Sequence, residues 1–335
     1  MAGVVRNEEL RRFTGTGLRI LAVAAAYLLV GRLGLLEQVV LGSVRVAPLW
    51  PPTGIAVSCL LLMGLRVWPG IALGALLVIA TIGPVTAASA GVVAGNTLAP
   101  ICAVLLLRRV DFRVELDRFR DGAALVFLGA LIAMLLSATM GSGALLISGS
   151  LSADNFWGTW AAWWTGDAMG VLVITPVLLA ARTIRLPLEI RPARWLEATA
   201  LLLSTIAVAL IGSLSTLHLL FLVFPLLIWA ALRFELAGAA PCVLLVSVIS
   251  VMAAGRQVGP FADHDLFALM VTLQALNGAA ALTTLLLVAV VAERRSTYLQ
   301  IERACVALAE VVARLAPGDG TSGRPPSDGG RGHGS

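Results

Sequence analysis

Lysine is absent from the 335 residues, and all 24 basic side chains are arginine. Charge of either sign is scarce, at 13% where a soluble domain carries about 25%. That scarcity excludes an ordinary soluble globular class. Histidine occurs only at His218, His264 and His333. A histidine kinase core needs a phosphoaccepting histidine on a cytoplasmic helix beside a nucleotide-binding domain, and neither pattern is present. The four cysteines, Cys59, Cys102, Cys242 and Cys305, stand far apart without a C-x-x-C pair. Neither a disulfide framework nor a structural metal is expected from that spacing. P-loop, Rossmann and G-x-S-x-G signatures are missing as well. With no facing nucleophile and base, the sequence predicts no enzyme, no catalytic residues and no cofactor. The stretch after Glu293 is too short for a nucleotide-cyclase or phosphodiesterase domain.

What the chain has instead is apolar length. Hydrophobic residues make up 59%, and the mean hydropathy is +0.94. The expected fold is all-α, a polytopic transmembrane bundle of about ten spans, or eight if a short pair is re-entrant. Arginines before an apolar run imitate a signal peptide, but the run continues to Leu36 and reads as an uncleaved first helix. The spans are predicted at 18–36, 52–65, 68–83, 84–107, 122–148, 156–181, 195–214, 218–232, 236–255 and 266–292. The second and third are short for a hydrocarbon core of about 30 Å. Prolines at Pro51 and Pro52 suit the first turn of the second. Residues 1–17 are expected in the cytoplasm, 18–292 in the membrane, and 293–316 as a cytoplasmic helix. From Pro317 the Gly, Pro, Ser and Asp composition predicts a disordered tail.

Arginine placement orients this series. With the N-terminus inside, 21 of the 24 arginines fall on the cytoplasmic side, leaving Arg32, Arg45 and Arg256 outside. That bias predicts an N-in, C-in topology. It also accounts for the net charge of +5 through anionic lipid, without nucleic acid.

The chain is organised around Phe156 to Ala181, where four of the eight tryptophans fall between Trp157 and Trp164. Asp167 follows, at bilayer depth, where a carboxylate costs roughly 2.5–3.5 kcal/mol on insertion scales and usually faces a protein interior. The plainer alternative is a structural hydrogen-bond hub. Gly166 and Gly170 share a helical face and allow close backbone approach. Candidate pocket residues are Asp167, Thr165, Trp163 and Trp164 here, with Asn96, Gln274 and Asn277 from other spans. An internal echo pairs Leu65-Arg66-Val67 with Leu232-Arg233-Phe234, and Asn96 with Asn277, as parallel repeats would. After the last span, Tyr298, Ile301, Cys305, Leu308, Val312 and Leu315 follow a three-four spacing, a heptad seam suited to a homodimer or to packing on loop 108–121.

Six motifs stand in order along the chain: L-W-P-P-T-G-I-A from Leu49, G-L-R-V-W-P-G-I-A-L-G-A from Gly64 and G-N-T-L from Gly95. W-W-T-G-D-A-M-G-V-L-V-I-T-P from Trp163, F-P-L-L-I-W-A-A-L-R-F from Phe224 and L-N-G-A from Leu276 complete the set. Together, covering roughly residues 18–295, they resemble the bacterial membrane-associated sensor domain of the first type, the MASE family. The resemblance implies a sensory input module of the bacterial cytoplasmic membrane, usually fused to a histidine kinase, diguanylate cyclase or phosphodiesterase. Without such a domain, the expectation is either a separate kinase or cyclase partner or a chain truncated relative to its relatives, with an undefined stimulus. The alternative from a different class is a small-molecule transporter, suggested by proline-broken helices, repeats and the midplane carboxylate.

Overall fold

The computed structural model describes residues 2–37, 39–41, 44–183, 192–215, 219–262 and 266–315. His218, His264, much of the 182–194 connection and the tail from Pro317 lie outside the described residues.

The architecture is a bundle of helices. Helix α1 (Ala2–Gly34) starts well upstream of the expected first span. A small antiparallel hairpin follows, β1 (Val39–Leu41) against β2 (Val44–Val46), with Val39 opposite Val46. It is an exception to the all-α expectation and falls in what reads as a polar connection. Next come α2 (Pro51–Met63), α3 (Trp68–Ile82) and α4 (Ala87–Arg109). Helix α5 (Phe119–Ala124) runs through a π-helical stretch, Leu125–Ile132, into α6 (Ala133–Ile147). The series ends with α7 (Phe156–Thr183), α8 (Pro192–Leu214), α9 (Val223–Gly255) and α10 (Leu266–Leu315). Contacts divide the chain into a bundle unit, Met1–Glu293, and a unit from Arg294 onward.

Among the described residues, eight helical stretches are long and apolar enough to cross a membrane. The expected count of about ten differs at two places. Helix α2 has 13 residues, too few for a core that takes about 20. The expected eighth and ninth spans lie on one helical stretch, Leu219–Gly255. That stretch is broken inside α9 at Glu235, whose φ of 53° and ψ of −143° are non-helical. A side chain with a Cβ is strained there, so the surroundings must hold it. The break directly follows Leu232-Arg233-Phe234. Its echo, Leu65-Arg66-Val67, directly follows a left-handed break at Gly64 (φ 86°). Each motif thus marks a bend between a short helix and a longer one.

Lipid tails give helices no hydrophobic reason to associate, so close backbone approach has to hold them. Glycine pairs four residues apart supply it at three crossings. Gly70 and Gly74 of α3 fit against the Ile20 carbonyl and Tyr27 of α1. Gly91 and Gly95 of α4 fit against Ala144, Met140 and Ser137 of α6. Gly166 and Gly170 of α7 fit against the chain at Ala47 and Trp50. Apolar side chains on the outer faces, such as Leu18, Leu29 and Leu33 of α1, stay exposed, as lipid-facing positions do.

Candidate functional site

The third crossing builds the site. Prolines at 48, 51 and 52 remove three backbone donors from the entry to α2, so the chain here can lie on another backbone with few N–H groups to satisfy. The Trp50 N–H donates to the Gly166 carbonyl at 3.0 Å. A Cβ on Gly166 would stand 2.6 Å from the Ala47 oxygen, and one on Gly170 would overlap the Trp50 carbonyl. Gly54 meets the Gly170 backbone in the same way. From α10, the Gln274 Nε2 donates to the Pro48 carbonyl at 2.8 Å. The Gly54 carbonyl, one turn into α2, accepts from Ser58 at 2.7 Å and from Thr175 of α7 at 3.2 Å. Segment 47–54 is therefore tied to α7 and α10 at once.

Asp167 sits inside this tie with 0% exposure. Thr53, in the first turn of α2, donates its hydroxyl to Asp167 Oδ1 at 2.6 Å. A helix N-terminus is its positive end, and it favours a carboxylate beside it. Ser137 of α6 and Trp163, one turn back on α7, also face the carboxylate. Neither closes a hydrogen bond on Oδ2, which is buried without a partner, as is Ser137 Oγ. Tyr27 of α1, fully buried, approaches the same charge beside the Trp50 side chain. The cluster thus joins α1, α2, α6 and α7, with α10 reaching it through Pro48.

Of the sequence-predicted residues, Asp167, Trp163 and Gln274 come together here. Trp164 sits beside them but turns away, donating Nε1 to the Leu131 carbonyl at 2.8 Å and stacking on Trp160 at 5.9 Å. Leu131 belongs to the π-helical stretch, whose altered hydrogen bonding often marks functional positions. Thr165 bonds back to Ala161 and Ala162 of its own helix and holds nothing else. Asn96 is buried at 9% exposure but also serves its own helix, donating to the Val92 carbonyl. Asn277 is buried one turn from Gln274, with Oδ1 unpartnered. The next residue, Gly278, lies against Met169 of α7. Thr53, Ser137, Tyr27 and Trp50 were not among the candidates. Thr53 and Trp50 lie in the L-W-P-P-T-G motif and were within reach, whereas nothing in the apolar run around Ser137 singles it out.

A cavity of about 10 Å³ lies apart from the carboxylate, between α7, α9 and α10. Its walls are apolar, including Leu172, Pro176, Ala240 and Val243, with Thr284 as the polar contributor. That is room for about one water.

A profile named MASE1 matches residues 19–295. No curated protein and no solved structure matches the chain. The matched span takes in the bundle and every part of the Asp167 cluster, and the chain belongs to the MASE1 family.

Proposed function

We propose that the protein is the input module of a signalling system in the bacterial cytoplasmic membrane, N-in and C-in, whose state is set at the Asp167 cluster. In this reading α10 carries the change to a separate kinase or cyclase, and the chain catalyses nothing itself. One observation carries the reading. Two motif segments 114 residues apart meet at a buried carboxylate with an unpartnered oxygen. A bundle needing only stability would bury apolar side chains there. Gln274 connects the cluster to α10, which continues without interruption to Leu315. Beyond the bundle unit, Tyr298, Ile301, Cys305, Leu308 and Val312 are exposed. Their heptad spacing commits this face to a second copy of the chain, as a dimer stalk would.

The test fuses a diguanylate cyclase domain in frame after Leu315 and reads cyclic dinucleotide in cells. Asp167→Asn should change output several-fold at equal membrane abundance, while Thr165→Ala leaves it unchanged. Equal output from Asp167→Asn and wild type returns Asp167 to a structural role. A transporter reading draws on the bends at Gly64 and Glu235, since broken helices line many substrate paths. It is favoured less, because the backbone contact of α2 with α7 at Gly54 and Gly170 leaves no gap between them.

A further inference from the structure

The Asp167 carboxylate has neutral partners. The groups acting on it are Ser137 of α6, Thr53 of α2 and Trp163 of α7 itself, and its ionisable neighbour is Tyr27 of α1. Of the charged groups on other bundle helices, Arg233 of α9 is taken up by Glu197 of α8 at 2.8 Å. Glu293 of α10 accepts from the Phe119 N–H. Glu235 of α9 has a partner of its own. Among the described residues, no arginine forms an ion pair with Asp167.

A carboxylate out of water without a cation costs several kcal/mol. Thr53 and the first turn of α2 offset only part of that. Something that binds Oδ2 and removes the charge would lift the cost, but the space is closed. Substituents at Gly54, Gly166 and Gly170 would run into backbone, and the described cavity lies elsewhere. An organic ligand has no room beside Oδ2. A proton needs none.

Resting on the reading of this cluster as the input site, we propose that its ligand is a proton, taken up at Asp167 Oδ2 with Ser137 Oγ as the hydrogen-bond acceptor. The step is a bare protonation. A proton from water adds to the carboxylate to give the carboxylic acid, the new O–H points to Ser137, and no other covalent bond changes. Ser137 faces the carboxylate, and its Oγ, like Oδ2, is buried without a closed hydrogen bond, so an O–H formed on Oδ2 has an acceptor beside it. Protonation also weakens the Thr53 bond, because a hydrogen bond to a charged acceptor is roughly twice as strong as a neutral one. The attraction of the α2 N-terminus for the carboxylate goes with it. The hold of α7 on segment 47–54 then loosens, and Gln274 passes the movement of Pro48 to α10.

The experiment is a pH titration of tryptophan fluorescence on the full chain in lipid nanodiscs, since Trp50, Trp163 and Trp164 border the cluster. It is run in sodium, potassium and choline salts. Wild type should show a one-proton step that does not depend on the cation. Asp167→Asn, near-isosteric with the acid, should lose the step and hold the low-pH signal throughout. Ser137→Ala should keep the step and displace its midpoint by roughly half to one pH unit, the worth of one hydrogen bond. A step that persists in Asp167→Asn overturns the proposal. So does a wild-type signal flat in pH but responsive to sodium, which would make the site one for a metal cation. If pH has no effect while Asp167→Asn still changes the cyclase fusion, the proton is the wrong ligand at the right site. If neither pH nor the substitution changes anything, the input-site reading fails with it.

Discussion

Gly170→Ala adds one methyl group at the point where α7 passes under the entry to α2. The new Cβ would overlap the carbonyl carbon and oxygen of Trp50 and approach the Pro51 nitrogen. All three are backbone atoms, pinned by the Trp50–Gly166 hydrogen bond at 3.0 Å and by two prolines. No flexible side-chain end is there to swing aside. Overpacking of a tight site costs about 1–3 kcal/mol, and separating the segments forfeits the Trp50 bond, about 0.5–1.5 kcal/mol net. Alanine regains up to about 1 kcal/mol of helix propensity over glycine. The expected net loss is therefore about 1–3 kcal/mol. Gly143→Ala on α6 is the control, because a Cβ there meets nothing within 4 Å. It should be neutral or stabilising by up to about 1 kcal/mol. Both variants are compared by reversible unfolding in mixed micelles. Equal stability of the two would refute the close crossing, and with it the geometry that encloses Asp167.

The heptad face predicts a crosslinked dimer through Cys305 in oxidised membranes, and labelling of Cys305 by maleimide from the cytoplasmic side only. A folded protein with reactive Cys305 and no dimer argues against a stalk, and labelling from outside overturns the C-in topology. At the last residue of the bundle unit a second contact is testable: α5 has no side-chain cap of its own, and the Phe119 N–H donates to Glu293 Oε2 at 3.1 Å. Glu293→Ala removes that cap, worth about 0.5–2 kcal/mol, and should speed hydrogen exchange across 108–121. Unchanged exchange there shows that Asp121, buried and bound by Arg113 and Arg118, holds the loop without α10.

The helices were legible because lipid enforces long apolar runs and prolines mark their entries. Trp68-Pro69 opens α3 where the sequence places it, and α7 runs two residues beyond its predicted end. The span count was less legible, because hydropathy does not register a single left-handed residue. At Glu235 one pair of backbone angles bends a helix that composition would run straight or cut in two. The hairpin was hidden for a related reason: three-residue strands are below the length at which alternation can be read. Asp167 was conspicuous as a charge in an apolar run, and Gln274 as a polar residue on a predicted inner face. Ser137 could not be found that way, since serine in a membrane helix usually bonds its own backbone, as Thr97 does. The glycine pairs at 70 and 74 and at 91 and 95 have the same spacing as 166 and 170. Spacing alone does not tell which partner each pair meets, and only the last meets a non-helical stretch, Ala47 to Trp50, at the entry to a helix.

That difference bears on how the module can move. Two helices packed through small residues resist sliding along their whole contact, since every ridge sits in a groove. The non-helical stretch 47–50 that leads into α2 has no such ridge against α7. Segment 47–54 is held by the Trp50 bond to Gly166, the Thr53 bond to Asp167, the Thr175 bond to Gly54 and the Gln274 bond to Pro48. Weakening the Thr53 bond changes the balance between the remaining ties to α7 and the one to α10. Polar interhelical bonds in a membrane average about 0.6 kcal/mol and reach about 1.7. Changing one by its full worth therefore shifts a two-state equilibrium by about threefold to fifteen- to twentyfold at RT ≈ 0.59 kcal/mol. A charge lost from beside the α2 N-terminus adds to that. Shifts of this size suit a graded input better than an all-or-none switch, which would need about 5.5 kcal/mol. The cyclase fusion should accordingly respond to Asp167→Asn by a factor within about two decades, and a complete on-to-off conversion would mean that α10 is driven by more than these four bonds.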